Sequence, residues 1–196
     1  MSGDPMPIAT DDTVKPFAVH TPAPVAVHWA EQVKGQLDRD MALGIIEPVP
    51  LNTPVTWCAR MVVVAKHDGS PRRTVDFKAL NSASKRQTHH TKSPFQLASE
   101  VPARMKKSVL DVWNAYHSVP IRQEDQHKLT FITPWGRFRY KRAPQGYLAS
   151  GDGYTHRDSL ISGTIDQKIT LVDDSLLWDP DTEQNFNSVW DANNLW

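Results

Sequence analysis

Two adjacent aspartates, Asp173 and Asp174, interrupt an apolar stretch of the sequence, LVDDSLLWD. A third aspartate, Asp111, ends another apolar run, SVL, at the point where a strand would stop. If neighbouring strands bring these carboxylates together, two of them ~4 Å apart repel by about 4 kcal/mol at an effective dielectric constant near 20. A fold keeps such a cluster when a cation lies in it, or when the pKa values of the carboxyl groups are raised. The three aspartates therefore predict a cation site, on the condition that the two strands are neighbours.

The residue types indicate which cation such a site would hold. Carboxylate oxygens without nearby Cys or paired His favour magnesium or manganese, which leave further positions to water and substrate phosphate. Two such ions about 3.5 to 4 Å apart suit in-line phosphoryl transfer, as in polymerases and nucleases. The histidines show no zinc spacing such as HExxH and are interpreted as surface or hydrogen-bonding residues. The alternative is structural, because an Asp-Asp pair between two strands also suits an ordinary turn.

The composition is that of one compact domain or two small lobes. Of the 196 residues 39% are apolar, and no apolar run approaches the ~20 residues of a membrane span. The N-terminus lacks the basic and apolar regions of a signal peptide, which predicts a soluble, cytoplasmic protein that contacts no membrane. The only cysteine, Cys58, excludes an internal disulfide and a thiolate zinc cluster, and it is interpreted as a small buried hydrophobe.

The formal net charge of zero conceals a separation of charge along the chain. Residues 60–142 carry 17 Lys and Arg against 6 Asp and Glu, whereas residues 143–196 carry 2 against 9. A basic middle and an acidic end suit a phosphate-binding surface beside a cation-binding one. Ordinary solvated faces explain the same distribution, so charge alone leaves both interpretations open.

Secondary-structure signals predict the elements that position these residues. The five prolines within residues 1–25 predict an extended or flexible arm, and the apolar spacing from Trp29 to Met41 predicts a helix closed by Gly44. Residues 61–77 are predicted to form a hairpin that turns at Asp68-Gly69, with a basic tip made by Lys66, Arg72 and Arg73.

Further signals follow in the second half of the chain. Ser93, Pro94 and Gln96 predict a short helix that starts with a capping box. A strand is predicted to reach Asp111 and to be followed by a tight helical turn. Hairpins are predicted to turn at residues 134–136 and at the Asp173-Asp174 pair, with a glycine-weakened helix over residues 147–163 between them. Because regular βαβ spacing is absent, these elements predict an α+β fold with an antiparallel sheet and helices on one face.

Taken in order, these motifs closely resemble the fingers and palm of a reverse transcriptase from a gypsy-like LTR retrotransposon. The matching segments, from about His20 to Trp196, are LDRDMALGIIEPV, WCARMVVVAKHDGSPRRTVDFKALN, DVWNAYHSVPI, FITPWGRFRYKRAPQGYLASGDGY and VDDSLLW. The resemblance implies a right-hand polymerase fold over residues 26–196, with an antiparallel palm sheet and a β-hairpin in the fingers, preceded by a flexible Pro-rich arm at residues 1–25. It also implies an RNA-directed DNA polymerase in the cytoplasm or in a retroelement particle, with template-primer nucleic acid and deoxynucleoside triphosphate (dNTP) as partners.

The resemblance assigns the acidic residues to catalysis. Asp111 and Asp173 are expected to bind two Mg²⁺ ions, with Mn²⁺ as a possible substitute, and Asp174 is the other member of the catalytic pair at the same metal site. The primer 3′-hydroxyl is the nucleophile in this family, so no Ser, Cys or His of the chain needs to attack the substrate.

The resemblance also assigns four residues to the incoming nucleotide. Lys66 and Arg72 are expected to hold its triphosphate from the hairpin. Tyr116 is expected to stack under the deoxyribose and to exclude a 2′-hydroxyl by steric clash. Gln145 is expected to contact the sugar and phosphates, with Gly146 permitting a close approach of the backbone.

Three departures separate the sequence from the family pattern. Leu171 stands where the family usually has tyrosine, and Asn114 stands where retroviral enzymes often have aspartate. The sequence also ends at Trp196, before the thumb, connection and RNase H of the family, so weak processive synthesis is expected. The alternatives are a catalytically inactive remnant that at most binds nucleic acid or protein, a metal-dependent nuclease, and a non-enzymatic scaffold.

Overall fold

The computed structural model of the protein describes residues 3–86, 93–161, 165, 167–171 and 174–195. The chain divides into two units. The hairpin unit comprises Asp4–Arg86 and Pro120–Ser150, and the carboxylate unit comprises Met1–Gly3, Gln87–Val119 and Gly151–Trp196. In the described part of the chain, no helix combines the length and hydropathy that crossing a membrane requires.

The described residues contain eight strands, five α-helices and two short 3₁₀ helices. The strands are β1 (Ile46–Val49), β2 (Ala59–Ala65), β3 (Pro71–Asp76), β4 (Lys106–Asp111), β5 (Thr130–Thr133), β6 (Gly136–Tyr140), β7 (Lys168–Leu171) and β8 (Asp174–Asp179). The α-helices are α1 (Val27–Ala42), α2 (Lys78–Ala83), α3 (Pro94–Glu100), α4 (Ser150–Ile161) and α5 (Thr182–Leu195). The 3₁₀ helices are Ala115–Ser118 and Gln123–Leu129.

The hairpin unit is built on a five-stranded sheet with the strand order β1-β6-β5-β2-β3. Its pairs are antiparallel except for β2 and β5, which are parallel at Ala59↔Phe131 and Arg60↔Ile132. A parallel pair needs a long connection, and here the chain passes through the carboxylate unit between β3 and β5. The sequence predicted one antiparallel sheet. The mixed five-stranded sheet was therefore not predicted.

Helix α1 supplies part of the core of the hairpin unit. It packs against β1 and β3 and buries Val33 and Leu37 completely. Gly44, with φ at +65°, follows the last helical turn and ends the helix as predicted. Glycine suits this position because a side chain is strained in the left-handed region.

The proline-rich N-terminal segment packs against other residues of the hairpin unit. Ile8 is 2% exposed. Its N–H donates to the Asp125 carboxylate at 2.9 Å, and its carbonyl accepts from Lys128 Nζ at 2.7 Å. Further along, Ala18 forms a parallel bridge with Cys58. The segment therefore packs through isolated bridges and hydrogen bonds, with a turn at residues 11–14, while its flexibility stays a prediction.

The carboxylate unit is built on a three-stranded antiparallel sheet in which β8 lies between β4 and β7. Helix α4 contacts β7 through an ion pair of 2.8 Å between Asp158 and Lys168. Helix α5 contacts β8 through Asn185, whose amide donates to Asp179 at 3.1 Å. Lys168 pairs with Leu177, and paired residues share a face of the sheet. Asp179 is two positions beyond Leu177 on the same strand, so Lys168 and Asp179 lie on the same face. This places both helices on one face, as predicted.

The predicted turn and cap signals are confirmed where they lie in the described residues. Ser93 Oγ accepts from the Gln96 N–H at 3.3 Å and the Gln96 side chain accepts from the Ser93 N–H at 2.9 Å, which completes the capping box of α3. The β2–β3 hairpin turns at Asp68 and Gly69, and the β5–β6 hairpin closes with the pair Thr133↔Gly136.

Candidate active site

Two of the predicted metal ligands are direct cross-strand partners. Asp111 is the last residue of β4, Asp174 is the first residue of β8, and the two are paired in the antiparallel register. Residues paired in this way point to the same face of a sheet, with their Cβ atoms about 4.5 to 5.5 Å apart. The condition on which the cation site depended, that the two strands are neighbours, is therefore met.

The carboxylate pair lies on the face of the sheet opposite the helices. On β8, Ser175 and Leu177 are completely buried, and they share the face that α4 and α5 cover. Asp174 and Leu176 alternate with them and point to the other face. On that face Val109, the partner of Leu176, is 69% exposed. Ile169 and Trp178 on the same face are only 9% and 8% exposed, so this face is partly covered, and the two exposed aspartates stand at its accessible end.

Both carboxylates are exposed to solvent. Water screens the repulsion between the two carboxylates. The repulsion is therefore weaker than expected from the flanking apolar residues, which had suggested a buried pair. Among the described residues, neither Asp111 nor Asp174 has an ion pair or a side-chain hydrogen bond. Their oxygens are available for an external cation.

The donor set fits a hard divalent cation that keeps water or phosphate among its ligands. Mg²⁺ commonly binds proteins through one or two carboxylates. Within the described residues, no group of three or more His, Cys, Asp and Glu side chains could hold a metal ion by itself. The predicted third ligand, Asp173, lies outside the described residues. Asp111 and Asp174 therefore offer two carboxylates of the kind that Mg²⁺ binds, and the magnesium site stays a prediction.

The β7–β8 pairing places Leu171, which stands where the reverse transcriptases that the sequence resembles usually have tyrosine, next to Asp174. Leu171 is the last residue of β7 and pairs with Asp174. Because β8 is the central strand, the Asp174 backbone has Asp111 on one side and Leu171 on the other. The position where the family usually has tyrosine is thus directly beside one candidate metal ligand.

A short 3₁₀ helix after β4 positions Tyr116. It begins after Asn114, whose φ of 55° and ψ of 37° make it the only non-glycine with positive φ in the described part of the chain. Asparagine tolerates this left-handed conformation better than most residues, which explains its use at this bend. The Tyr116 ring is half-buried and meets Tyr154 edge-on, with ring centroids 6.2 Å apart. Its Cε1 lies 3.9 Å from where a Cβ on Gly151 would be.

The cationic residues of the β2–β3 hairpin lie on different faces of the sheet and have different surroundings. Arg72 pairs with Val64 and Arg73 pairs with Val63, so the two arginines point to opposite faces. Arg73 Nη2 contacts the Asp40 carboxylate of α1 at 2.6 Å, which assigns it to the packing of the helix on the sheet. Arg72 is exposed on the other face.

Lys66 is exposed on the same face as Arg72. Its N–H donates to the Ser70 carbonyl at 2.9 Å and extends the hairpin ladder by one position beyond the pair Ala65↔Pro71. Alternation along the ladder then places Lys66 with Arg72 rather than with Arg73. The hairpin thus presents two exposed cations on one face, and their binding of a triphosphate stays a prediction.

Gln145 lies at the exposed apex of a loop whose flanks are buried. Pro144 and Tyr147 are buried on either side of it. Gly146 has φ at +91°, and a Cβ built there would come 3.3 Å from the Val75 carbonyl oxygen. A side chain at this position would be strained by the backbone conformation and would crowd the Val75 carbonyl, while the predicted close approach of this backbone to a nucleotide stays a prediction.

The only cysteine of the chain has no place in this chemistry. Cys58 is 3% exposed, and burial raises the pKa of its thiol. A thiol with a raised pKa is a poor nucleophile at neutral pH. The prediction that Cys58 is a small buried hydrophobe is confirmed.

The predicted residues fall into two groups, one in each unit. Asp111, Asp174 and Tyr116 belong to the carboxylate unit, whereas Lys66, Arg72 and Gln145 belong to the hairpin unit. A residue that sequence reasoning did not identify, Asn81, makes two hydrogen bonds to the loop that carries Gln145. No local signal marks Asn81, since the contacts span 65 and 67 positions of sequence.

The chain is similar in sequence to polyproteins of transposons in Schizosaccharomyces pombe (strain 972 / ATCC 24843). It is 27% identical to the transposon Tf2-3 polyprotein and 26% identical to the transposon Tf2-7 polyprotein, each over 164 residues. The match covers 83% of this chain, and this chain spans only 12% of the length of these relatives. No protein-family model matches the chain.

Solved structures of a reverse transcriptase share the fold. The protease-reverse transcriptase of prototype foamy virus, as a selenomethionine-labelled CSH mutant, matches with a TM-score of 0.86 and 20% identity. The match covers 97% of this chain and 25% of that one. The foamy viral protease-reverse transcriptase in complex with an RNA/DNA hybrid matches with a TM-score of 0.83, 18% identity, and coverage of 97% and 25%. The predicted fold is confirmed, since the chain has the α+β fold of this part of a reverse transcriptase.

Proposed function

We propose that the protein carries the fingers and palm of an RNA-directed DNA polymerase from a gypsy-like LTR retrotransposon. In this proposal it transfers a nucleotide from a dNTP to a primer 3′-hydroxyl on an RNA or DNA template. The observation that carries the proposal is the cross-strand pair of the exposed residues Asp111 and Asp174, on the sheet face opposite the helices, in a chain with the fold of a reverse transcriptase. The foamy viral enzyme with this fold was solved with double-stranded DNA and with an RNA/DNA hybrid, which supports template-primer nucleic acid as the partner.

The carboxylates would hold the catalytic cations. Asp111 and Asp174 would bind two Mg²⁺ ions together with Asp173 and the substrate phosphates, and Mn²⁺ would fit the same oxygen ligands. When bound, such ions supply Lewis acidity that activates the attacking hydroxyl and stabilises the leaving group. The primer 3′-oxygen bonds to the α-phosphorus, the bond between that phosphorus and the bridging oxygen to the β-phosphate breaks, and pyrophosphate leaves. The proton of the hydroxyl passes to solvent.

The remaining residues would bind and select the nucleotide. Lys66 and Arg72 would pair with the triphosphate through charge-assisted hydrogen bonds. Gln145, at the exposed apex of its loop, would contact the sugar and the phosphates. Tyr116 would lie under the deoxyribose, where its ring leaves no room for a 2′-hydroxyl. Its edge-on packing against Tyr154 supports this role because it restricts the position of the ring.

Single-nucleotide incorporation tests the proposal. The purified chain is given an RNA template, a labelled DNA primer, one complementary dNTP, and either Mg²⁺ or Mn²⁺. A primer lengthened by one nucleotide, only with the complementary dNTP and only with metal, supports the proposed polymerase. A shortened primer would assign the same carboxylates to a nuclease, and an unchanged primer would overturn the proposed activity.

A catalytically inactive remnant is the second candidate, and one observation favours it. Leu171 replaces the family tyrosine and is the cross-strand neighbour of Asp174. A remnant that only binds nucleic acid would shift the template-primer in a binding assay without extending it with either metal. Extension by the unmodified chain would therefore exclude it.

Replacing Arg72 with alanine is expected to raise the KM for dNTP by about 10-fold or more, the cost of losing a hydrogen bond to a charged group. The stability of the chain should not change, because Arg72 is exposed and lies on the face opposite α1. The measurement is the dNTP dependence of single-nucleotide incorporation, with thermal unfolding alongside.

Two matched variants serve as controls. Lys34→Ala removes an exposed cation from α1 and should leave KM unchanged. Arg73→Ala breaks the ion pair with Asp40 and should lower the unfolding temperature. If Arg72→Ala and Lys34→Ala have the same KM as the parent chain, Arg72 does not bind the triphosphate.

A further inference from the structure

The loop that carries Gln145 is held at both flanks, and the contacts come from different parts of the hairpin unit. Ser150 Oγ donates to the Pro144 carbonyl at 2.6 Å in a buried position. Tyr147 is 4% exposed. These contacts fix the base of the loop, but neither is a hydrogen bond to the backbone of Gly146, the residue that follows Gln145.

The side chain of Asn81 bonds to the backbone of the loop on the C-terminal side of Gln145. Its Nδ2 donates to the Gly146 carbonyl at 2.8 Å, and its Oδ1 accepts from the Leu148 N–H at 3.0 Å. One planar amide thus bonds to a donor and an acceptor of the loop on either side of Tyr147. Its own backbone takes part in α2, since its N–H donates to the Phe77 carbonyl at 2.7 Å.

We infer that Asn81 is a positioning residue that fixes the backbone on which Gln145 is presented. This inference rests on the proposed function, since it concerns how the nucleotide site is built. Asn81 bonds to backbone atoms and not to the Gln145 side chain, so it acts through the loop conformation.

The backbone of the loop explains why an external amide is needed. Gly146 has φ at +91°, and glycine is the residue with the greatest freedom to leave such a conformation. Ordering it costs conformational entropy, which the paired hydrogen bonds of Asn81 offset. A displacement of a contact residue by ~1 Å can lower an enzymatic rate on the order of 100-fold, so a loop of this kind has to be held accurately.

The kinetic test is a double-mutant cycle on single-nucleotide incorporation. Asn81→Ala and Gln145→Ala are each expected to lower kcat/KM for dNTP by about 10-fold, and the double variant should be no worse than Gln145→Ala alone. The matched control is Ser82→Ala, which removes an exposed hydroxyl from the next residue of α2. If the effects of Asn81→Ala and Gln145→Ala multiply, Asn81 does not act through Gln145 and the inference is overturned.

Amide hydrogen exchange tests the loop without requiring catalysis. In Asn81→Ala the Leu148 amide should exchange about 10-fold faster than in the parent chain and in Ser82→Ala. Asn81→Asp keeps an acceptor for this N–H, so Leu148 should stay protected, whereas Asp cannot donate to the Gly146 carbonyl. Unchanged exchange in Asn81→Ala would refute the inference whatever the activity. If the parent chain lacks metal-dependent incorporation, the proposed function fails and the nucleotide part of the inference falls with it, while faster exchange would still show that Asn81 orders the loop.

Discussion

Replacing Asp111 with asparagine is expected to lower metal-dependent nucleotide incorporation by at least about 100-fold, the scale of a reaction whose reactants are misplaced by ~1 Å. Asparagine has nearly the same shape as aspartate but lacks the charge that holds a divalent cation. Asp174→Asn should have a similar effect, because the two residues are paired across β4 and β8. The rates are measured by single-nucleotide incorporation with Mg²⁺ and with Mn²⁺.

The stability of these variants should not fall with their activity. Like charges placed directly opposite each other in a sheet destabilise it, so removing one of the two carboxylates should leave the unfolding temperature unchanged or slightly raised in the absence of metal. Asp191→Asn is the matched control, because it removes an exposed carboxylate of α5 in the same unit. Full activity in Asp111→Asn, or equal losses in Asp111→Asn and Asp191→Asn, would remove the assigned site.

Breaking the buried ion pair between Lys168 and Asp158 is expected to have the largest effect on stability. The two side chains are 4% and 3% exposed, and Lys168 Nζ lies 2.8 and 3.0 Å from the two carboxylate oxygens. Burial lowers the pKa of Lys168, while the hydrogen bonds and charge of Asp158 oppose this shift. Asp158→Ala removes two hydrogen bonds and the opposite charge from the buried ammonium group of Lys168, and it should cost about 3 to 5 kcal/mol of unfolding free energy.

This loss should reach the carboxylate site through β7. The Thr170 hydroxyl also donates to Asp158, and β7 pairs with the strand that begins at Asp174. Denaturant unfolding measures the effect, with Lys106→Met as a control for removing an exposed lysine from the same unit. Adding Lys168→Met to Asp158→Ala should recover part of the stability, since an apolar pair tolerates burial better than a single charge. A double variant less stable than Asp158→Ala would contradict this interpretation.

Local signals were sufficient for much of the fold. The hairpins at Asp68-Gly69 and at residues 134–136, the helix ended by Gly44 and the capping box at Ser93 depend on neighbouring residues, and each is confirmed. The turn chemistry of Gly and Asp acts over a few positions, which is why sequence alone contains it.

Helix α5 was missed because its packed face buries the polar Asn185 and the small Ala192 rather than a stripe of large apolar residues. Asn185 is 6% exposed and bonds to Asp179, whereas Phe186 and Trp190 are 63% and 61% exposed and stack on each other. A search for an apolar stripe therefore finds the exposed face that carries Phe186 and Trp190, not the face that packs on the sheet. The signal that would have found the start of α5 is Asp181, whose carboxylate accepts from the Gln184 N–H at 2.9 Å.

The candidate site needed long-range register as well as sequence. The types of Asp111 and Asp174 predicted a cation site only if their strands were neighbours, and the pairing of β4 with β8 supplies that fact. In the same way, the sequence predicted a basic hairpin tip, but only the register separates the exposed Arg72 from Arg73, which is bonded to α1. Side-chain alternation is a property of paired strands and cannot be obtained from a list of cations.

Direct measurement of Mn²⁺ binding tests the central claim, that the paired carboxylates hold divalent cations. The electron paramagnetic resonance signal of free Mn²⁺ is followed as the chain is titrated, without nucleotide, for the parent chain, Asp111→Asn, Asp174→Asn and the control Asp191→Asn. The prediction is that the parent chain and Asp191→Asn bind Mn²⁺ with equal affinity and that binding is lost or strongly weakened in the other two. Equal binding by all four proteins, or none by the parent chain, would contradict the claim.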